Sequence, residues 1–290
     1  MREGEVSYQE LRPGRLLPPR ALRAVNNAVG VGIHDDATAI RYGFRGGLVP
    51  GITLFTYLAH ALYRALGEGW LQRGQMELRF RRPVYHGDAV TAQARVGRCG
   101  EEEVEMELWL EGAEGLPHAQ GTARLPLKAP PDPPADLPYI VRPEEAPPLP
   151  PLRPGQVPLG LPFRPLPVLL TAQQSLAYAR EVGLEEPVYG RLANPGLLLR
   201  QTVRHYRPQE GAGGWEATPA IHMGYQVAHY GPVVVDRPYT LYGQYVDAFR
   251  SSKGDEFAVS EHALLDEAGQ VRFLARITTI YYLQPRPPQG

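Results

Sequence analysis

Between Pro126 and Pro162 the chain reads PLKAPPDPPADLPYIVRPEEAPPLPPLRPGQVPLGLP. Each proline fixes φ and removes a backbone donor, so a tract this dense is held extended and excludes helices and central strands. The tract predicts a semi-rigid spacer over residues 126–162, between a front unit, residues 1–125, and a rear unit, residues 163–290. A proline-rich ligand for SH3-type or WW-type domains is the other use of such a segment, but nothing else in the sequence points to signalling. Tyr139, Ile140 and Val141 are expected to pin the tract against a domain face. The 290 residues suit this division, since domains of about 145 residues are of ordinary size.

Both units repeat one order of signals. In the front, Gly43-Phe44 and Leu48-Val49-Pro50-Gly51 precede ITLFTYLAHALYRAL, where Phe55, Leu58, Leu62, Ala65 and Leu66 recur at helical spacing. This predicts an amphipathic helix with one buried face. Alternating runs follow at Met76–Phe80, Val90–Val96, Val104–Leu110 and Ala119–Leu125, with turn residues between them. In the rear, Gly183-Leu184 and Ala193-Asn194-Pro195-Gly196 precede LLLRQTVRHY, which Pro208 should stop. Strand-like runs then cover Ile221–Tyr230, Pro232–Val235, Tyr239–Phe249, Phe257–Leu265 and Val271–Tyr282. Gly51 and Gly196 are 145 positions apart and Pro83 and Pro232 are 149 apart, which suggests a duplicated unit. A long helix followed by an antiparallel meander buries its apolar faces most economically when the sheet curls around the helix.

Composition narrows the function classes. A formal net charge of −1 argues against a general nucleic-acid binder, which needs a basic surface. No run of eighteen apolar residues is present, so no membrane-spanning helix is expected. The start, MREGEVSYQELRPGRLL, does not read as a secretory signal, and the expected location is the cytoplasm. A single cysteine, Cys99, excludes an internal disulfide and a cysteine-rich metal site. His118, His205, His222, His229 and His262 lack metal-ligand spacing, and neither a metal nor another cofactor is expected. His60, on the long helix, reads as a satisfied core histidine, and His86-Gly87-Asp88 as a turn.

The segment Ile33-His34-Asp35-Asp36-Ala37, with Gly43-Phe44, Leu48-Val49-Pro50-Gly51 and Arg82-Pro83-Val84-Tyr85-His86-Gly87-Asp88, resembles the MaoC-like (R)-specific enoyl-CoA hydratases and dehydratases. The resemblance implies an α+β double hotdog, two antiparallel sheets each wrapped around a central helix. It also implies an acyl thioester substrate, on CoA or an acyl carrier, and lipid metabolism as the setting. The two units would make a pseudo-dimer whose sheets could still pair with a second copy of the chain. The match to the family's active-site motif is partial. Aligned on His34, the family's catalytic Asp falls on Val29 and its Asn on Val31; Gly32 stands at the Pro and Pro50 at the His that leads the helix. In the rear, aligning Gly43 with Gly183 puts Gln174 opposite His34 and Leu176 opposite Asp36, so only the front keeps a histidine for chemistry.

Hydration of an enoyl thioester needs a base for water, an acid for the α carbon and a donor to the thioester oxygen. His34 is the acid–base candidate, with Asp36 or Asp35 to orient it. Asp36 meets His34 only if the stretch is extended, and Asp35 or Asp36 could instead cap a helix starting near Ala37, with His34 packed beside it. Gly51 offers an unpaired N–H at a helix N-terminus, although Pro50-Gly51 also reads as a plain helix start. Catalytic candidates are therefore His34, Asp36 and Gly51, and substrate-binding candidates are Asp35, Pro50 and Arg45. Arg45, like Arg41, suits a CoA phosphate or an ordinary solvated surface. These residues favour a hydratase or dehydratase, a lyase. The losses at Val29 and Val31 favour a non-catalytic acyl-thioester-binding protein or partner subunit, and hotdogs also host thioesterases.

Overall fold

The computed structural model describes residues 6–150, 152–205 and 219–284. Its strands, in chain order, are β1 (Arg20–Arg23), β2 (Gln75–Phe80), β3 (Ala89–Cys99), β4 (Glu103–Gly112), β5 (Pro117–Pro126), β6 (Leu166–Leu169), β7 (Ile221–His229), β8 (Pro238–Arg250), β9 (Glu256–Asp266) and β10 (Val271–Tyr282). The helices are α1 (Asp36–Arg41), α2 (Gly51–Leu66), α3 (Glu68–Arg73), α4 (Ala172–Glu181) and α5 (Pro195–His205). Among the described residues, no helix is long and apolar enough to cross a membrane.

Alternation sets the sheet. Val90, Ala92, Ala94 and Val96 on β3, and Val104, Met106, Leu108 and Leu110 on β4, are buried, while Arg95 and Glu107 between them are exposed and paired. This is the period-two pattern of a sheet with one wet face. All ten strands form one antiparallel sheet in the order β1-β3-β4-β5-β2-β7-β10-β9-β8-β6. The second five repeat the first five in mirrored order, and the halves join where β2 pairs with β7, from Gln75↔Ala228 to Arg79↔Gly224. The outer edges are short: β1 carries Arg20 and Arg23, and β6 carries Pro167, features that oppose pairing with another edge.

The expected α2 and the expected strands of both units are present, with three corrections. First, α2 is buried at 13 of its 16 positions and not on one face only. Its polar stripe, Thr56, His60 and Arg64 at helical spacing, turns to the rear half and bonds Tyr178 Oη (3.1 Å), Tyr189 Oη (3.1 Å) and Glu186 Oε1 (2.6 Å). His60 is thus a buried core residue, and desolvation lowers its pKa to about 3. Second, Pro232–Val235 forms no strand beyond a single bridge of Val234 to Leu192. Pro232 has no N–H, and the Val234 N–H goes to Tyr239 Oη at 2.9 Å, outside any ladder.

Third, the repeat is one residue out at the helix start. Val49 N–H bonds Val84 O and Ala193 N–H bonds Val233 O, each at 2.8 Å. Val49 therefore corresponds to Ala193, and Gly51 to Pro195 rather than to Gly196. The sequence reading also passed over β1, β6, α3 and α4. α1 and α4 end alike, with Gly43 (φ 84°) and Gly183 (φ 75°) in the left-handed region and the next N–H, of Phe44 or Leu184, returning to Ala39 or Ala179.

The proline-rich segment has no helix or strand between Pro126 and Leu166 among its described residues. Tyr139 does pin it, at 2% exposure, against Ala263 and Leu265 of β9, whereas Ile140 is 38% exposed. Proline there costs nothing because the path needs no ladder. The stop signal expected at Pro208 lies outside the described residues.

Candidate active site between the two halves

The chain before α1 is tied down residue by residue. Asn26 Nδ2 donates to His34 O at 2.9 Å, Leu48 N–H donates to Ile33 O at 3.1 Å, and Ile33 is buried. This fixes the backbone of His34, whose Nδ1 lies 2.7 Å from Leu48 O. A carbonyl only accepts, so Nδ1 holds the proton and Nε2 keeps its lone pair. Burial lowers the His34 pKa, and the bond to Leu48 offsets part of that shift. The ring is thus a neutral base of fixed tautomer at neutral pH.

The other predicted residues fall into two groups. Asp35 Oδ2 accepts from Thr38 N–H at 2.9 Å and caps α1; that N–H holds the Asp35 carboxyl below its usual range. Asp36 Oδ1 accepts from Gly47 N–H at 2.7 Å and so steadies the loop leading to α2. Arg45 pairs with Asp88 at 2.5 Å and lies over the Tyr85 ring, with 64% of its side chain exposed. Pro50 and Gly51, both partly buried, lie at the start of α2. Pro50 is the residue before the helix and has no side chain to cap it, so the first-turn N–H groups receive no side-chain acceptor from it. A Cβ at Gly51 would sit 2.9 Å from Phe80 Cε2 and 3.3 Å from Tyr225 Oη, so only glycine fits without moving an aromatic ring.

Tyr225 and its neighbour His222 come from the rear half, and the sequence reading passed over both as site residues. On a regular strand residues three apart face opposite sides. Here β10 pairs Thr278 with Gly224 and Thr279 with His222, leaving Met223 as a bulge. The extra residue resets the alternation and brings His222 Nδ1 to 2.5 Å from Tyr225 Oη. The Tyr225 ring packs edge-on against Phe55 of α2 and Phe80 of β2. Burial, and then the charge of nearby His34, lower the His222 pKa to about 4. His34, Gly51, Tyr225 and His222 thus occupy one region at the joint of the halves. No pattern of apolar residues announces a bulge, so only the paired histidine and tyrosine of IHMGY could have hinted at it.

The rear half lacks each part. The residue before the cap of α4 is Leu170, because α4 starts four residues earlier than the shared glycine alignment implies. Pro195 replaces Gly51 and has no N–H to offer. Asn194 accepts from Gly196 N–H at 2.9 Å, capping the helix from within. Met76 stands where the front site receives Tyr225, by the 149-residue offset of Val84 and Val233.

Among the described residues, no group of three or more His, Cys, Asp or Glu is arranged to hold a metal ion. No family model matches the sequence, and no curated protein matches it. Solved structures do. A protein described as a MaoC domain dehydratase from Chloroflexus aurantiacus superposes over 99% of this chain and 98% of its own, with a TM-score of 0.64 and 12% identity. A conserved Mycobacterium tuberculosis protein with a double hotdog fold covers 97% of this chain and 99% of its own, with a TM-score of 0.62 and 15% identity.

The chain is a double hotdog. A 12:0-ACP thioesterase from Umbellularia californica shares the fold more distantly, with a TM-score of 0.52, 12% identity and coverage of 93% and 94%. Two activities on one architecture mean that function must be read from the site of this double hotdog and not from its fold.

Proposed function

We propose that this double hotdog is a MaoC-like hydratase or dehydratase of acyl thioesters, with one site of this kind, built on the front half. The observation that carries the reading is the fixed His34 tautomer, which presents a neutral base beside an uncapped helix start. In the hydration direction His34 Nε2 removes a proton from water as the water oxygen bonds the β carbon of the enoyl thioester. The electron pair of the double bond moves to give an enolate on the thioester oxygen, which the Gly51 N–H stabilises. His34 then returns the same proton to the α carbon, so no further acid is consumed. Tyr225 Oη, which shares a hydrogen bond with His222 Nδ1 and lies beside Gly51, is the second group to meet that oxygen. Asp35, Asp36 and Pro50 act as positioning residues for the loop and helix start, and Arg45 meets substrate phosphate at the surface. The thioester is borne by CoA or by a carrier protein.

One observation favours a second reading, a non-catalytic acyl-thioester-binding protein or partner subunit. Val29 and Val31, at the positions of the family's Asp and Asn, are 74% and 50% exposed, so neither position contributes to the buried site. Crotonyl-CoA hydration by the purified chain separates the two. The hydratase reading expects turnover that His34→Ala lowers by about 100-fold or more. Absence of turnover with both short and long enoyl chains would leave the binding reading.

A further inference from the structure

Among the described residues Leu170 stands where the front has His34, and a line of polar groups runs into the interior of the rear half. His205 Nε2 lies 2.8 Å from Arg164 O. The carbonyl can only accept, so Nε2 is protonated and Nδ1 of His205 is an acceptor. That Nδ1 lies 3.3 Å from His262 Nδ1, which must therefore donate. His262 Nε2 is left with its lone pair, and Ser260 Oγ lies 3.0 Å away as the donor to it. Each bond forces the next: a hydroxyl aimed at a neutral imidazole, which is oriented by a third group whose tautomer the backbone fixes. That is the arrangement by which a serine becomes a nucleophile, and it is recognised by geometry rather than by sequence order.

Packing alone does not require these groups. Ser260 is 2% exposed and His262 is fully buried, among Phe163, Tyr245 and Ala258. A hydroxyl and two imidazoles carry a desolvation cost there that apolar side chains would not. Burial, the first cause, keeps both rings neutral, with His205 lowered to about 4 and His262 lowered well below the usual histidine range. Ser260 and His262 are two apart on β9 and share its inner face, and Tyr245 is the cross-strand partner of Ser260. The cover over this cluster comes in part from Leu149, Leu152 and Val157 of the proline-rich segment. The segment is tied to β8 at its far end, by Gly160 N–H to Tyr245 O (2.9 Å) and Phe163 N–H to Gly243 O (2.7 Å). Over the described residues from Leu149 to Val157 it is held to the strands only by side-chain contacts such as Gly155 N–H to Glu256 and Tyr281, so that stretch is the part of the cover that can yield to admit an acyl chain.

We propose that Ser260, His262 and His205 form a second, nucleophilic centre, which takes acyl esters or thioesters and hydrolyses them. Ser260 Oγ bonds the acyl carbon while its proton passes to His262 Nε2, and Tyr245 Oη donates to the oxygen that gains charge. The carbon–sulfur or carbon–oxygen bond breaks, and the leaving thiolate or alkoxide takes the proton from His262. Water then attacks the acyl-serine, giving its proton to His262. The serine oxygen recovers that proton as the acid leaves. The proposal stands apart from the reading of the front site.

The test is reaction of the full chain with a fluorophosphonate probe, followed by peptide mass spectrometry and an assay of p-nitrophenyl butyrate hydrolysis. We expect a single adduct on Ser260, none in Ser260→Ala, and labelling slowed about 100-fold in His262→Gln. His34→Ala should label like the wild type, which keeps this outcome distinct from failure of the hydratase reading. Should Ser260→Ala not fold, Ser260→Cys is to be alkylated by iodoacetamide faster than Cys99. A wild-type chain that stays unlabelled, an adduct elsewhere, or hydrolysis unchanged in Ser260→Ala would overturn the proposal.

Discussion

At the start of α2 stands Pro50-Gly51, and at the equivalent place before α5 stands Asn194-Pro195. The backbone path is shared, down to the 2.8 Å bonds of Val49 and Ala193, but the chemistry is reversed. In the front, a residue that cannot cap precedes one that keeps its N–H and has no side chain. In the rear, a residue that caps precedes one with no N–H. The first leaves a positive helix end open to an anionic oxygen and the second consumes or deletes the same donors. The repeat of the fold is therefore not a repeat of these helix-start groups. The rear copy instead brings Tyr225 and His222 across the joint to the start of α2 and holds a different set of buried polar groups.

The histidines give the largest test of that difference. The rear half holds His205, His222 and His229, each lowered from 6.5 to about 4, and His262, lowered well below 6.5, with burial the leading cause in all four. Their pKa is lower in the folded chain, so in this window the unfolded chain binds more protons. Stability is then complete above pH 6.5 and falls as pH drops from 6.5 towards 4. Each fully buried ring contributes on the order of 1–2 kcal/mol by pH 5. Hydrogen exchange at pH 5 should show the rear half opening before the front, where only His34 and His60 act in this sense. Uniform opening, or stability that rises in acid, would contradict this.

A smaller effect tests the contact between the halves. Tyr225→Phe removes one donor at the front site and leaves His222 Nδ1 without its partner, so kcat should fall roughly tenfold with little change in KM. If KM alone rises, Tyr225 binds substrate but does not act on the developing charge. The smallest expected effect is at Arg45. Its pair with Asp88 is largely exposed, so Arg45→Ala should change stability by no more than about 0.5 kcal/mol and KM by a few-fold. A large change in kcat would bring Arg45 into the site itself.

Much of the architecture was legible because it rests on periodicity. The even-spaced runs from Val90, Val104, Tyr239 and Val271 became β3, β4, β8 and β10, and the proline tract became the crossing between the halves, outside any strand and pairing with β8 only through isolated bridges. Short edge strands escaped notice because four residues such as Arg20–Arg23 carry no period to read. α2 was read as amphipathic from the spacing of Phe55, Leu58, Leu62, Ala65 and Leu66; its other side is buried too, because Tyr178, Tyr189 and Glu186 of the other half meet Thr56, His60 and Arg64. At the site, His34 and Gly51 could be found locally. Tyr225 and His222 could not, since they reach Gly51 and His34 only through a strand pairing and a bulge. The helix starts were misaligned by one residue because glycine was matched with glycine, where the backbone bonds match glycine with proline.

Enoyl-CoA hydration by the paired variants Gly51→Pro and Pro195→Gly tests the central claim most directly. Proline is well tolerated at the first position of a helix, so Gly51→Pro removes the donor while keeping α2, with Gly51→Ala as the control that adds a side chain but retains the N–H. The account predicts a loss of about 100-fold in Gly51→Pro, a smaller loss in Gly51→Ala, and wild-type hydration in Pro195→Gly. Full hydration by Gly51→Pro with α2 intact, or a loss on changing Pro195 alone in a chain that still folds, would contradict it.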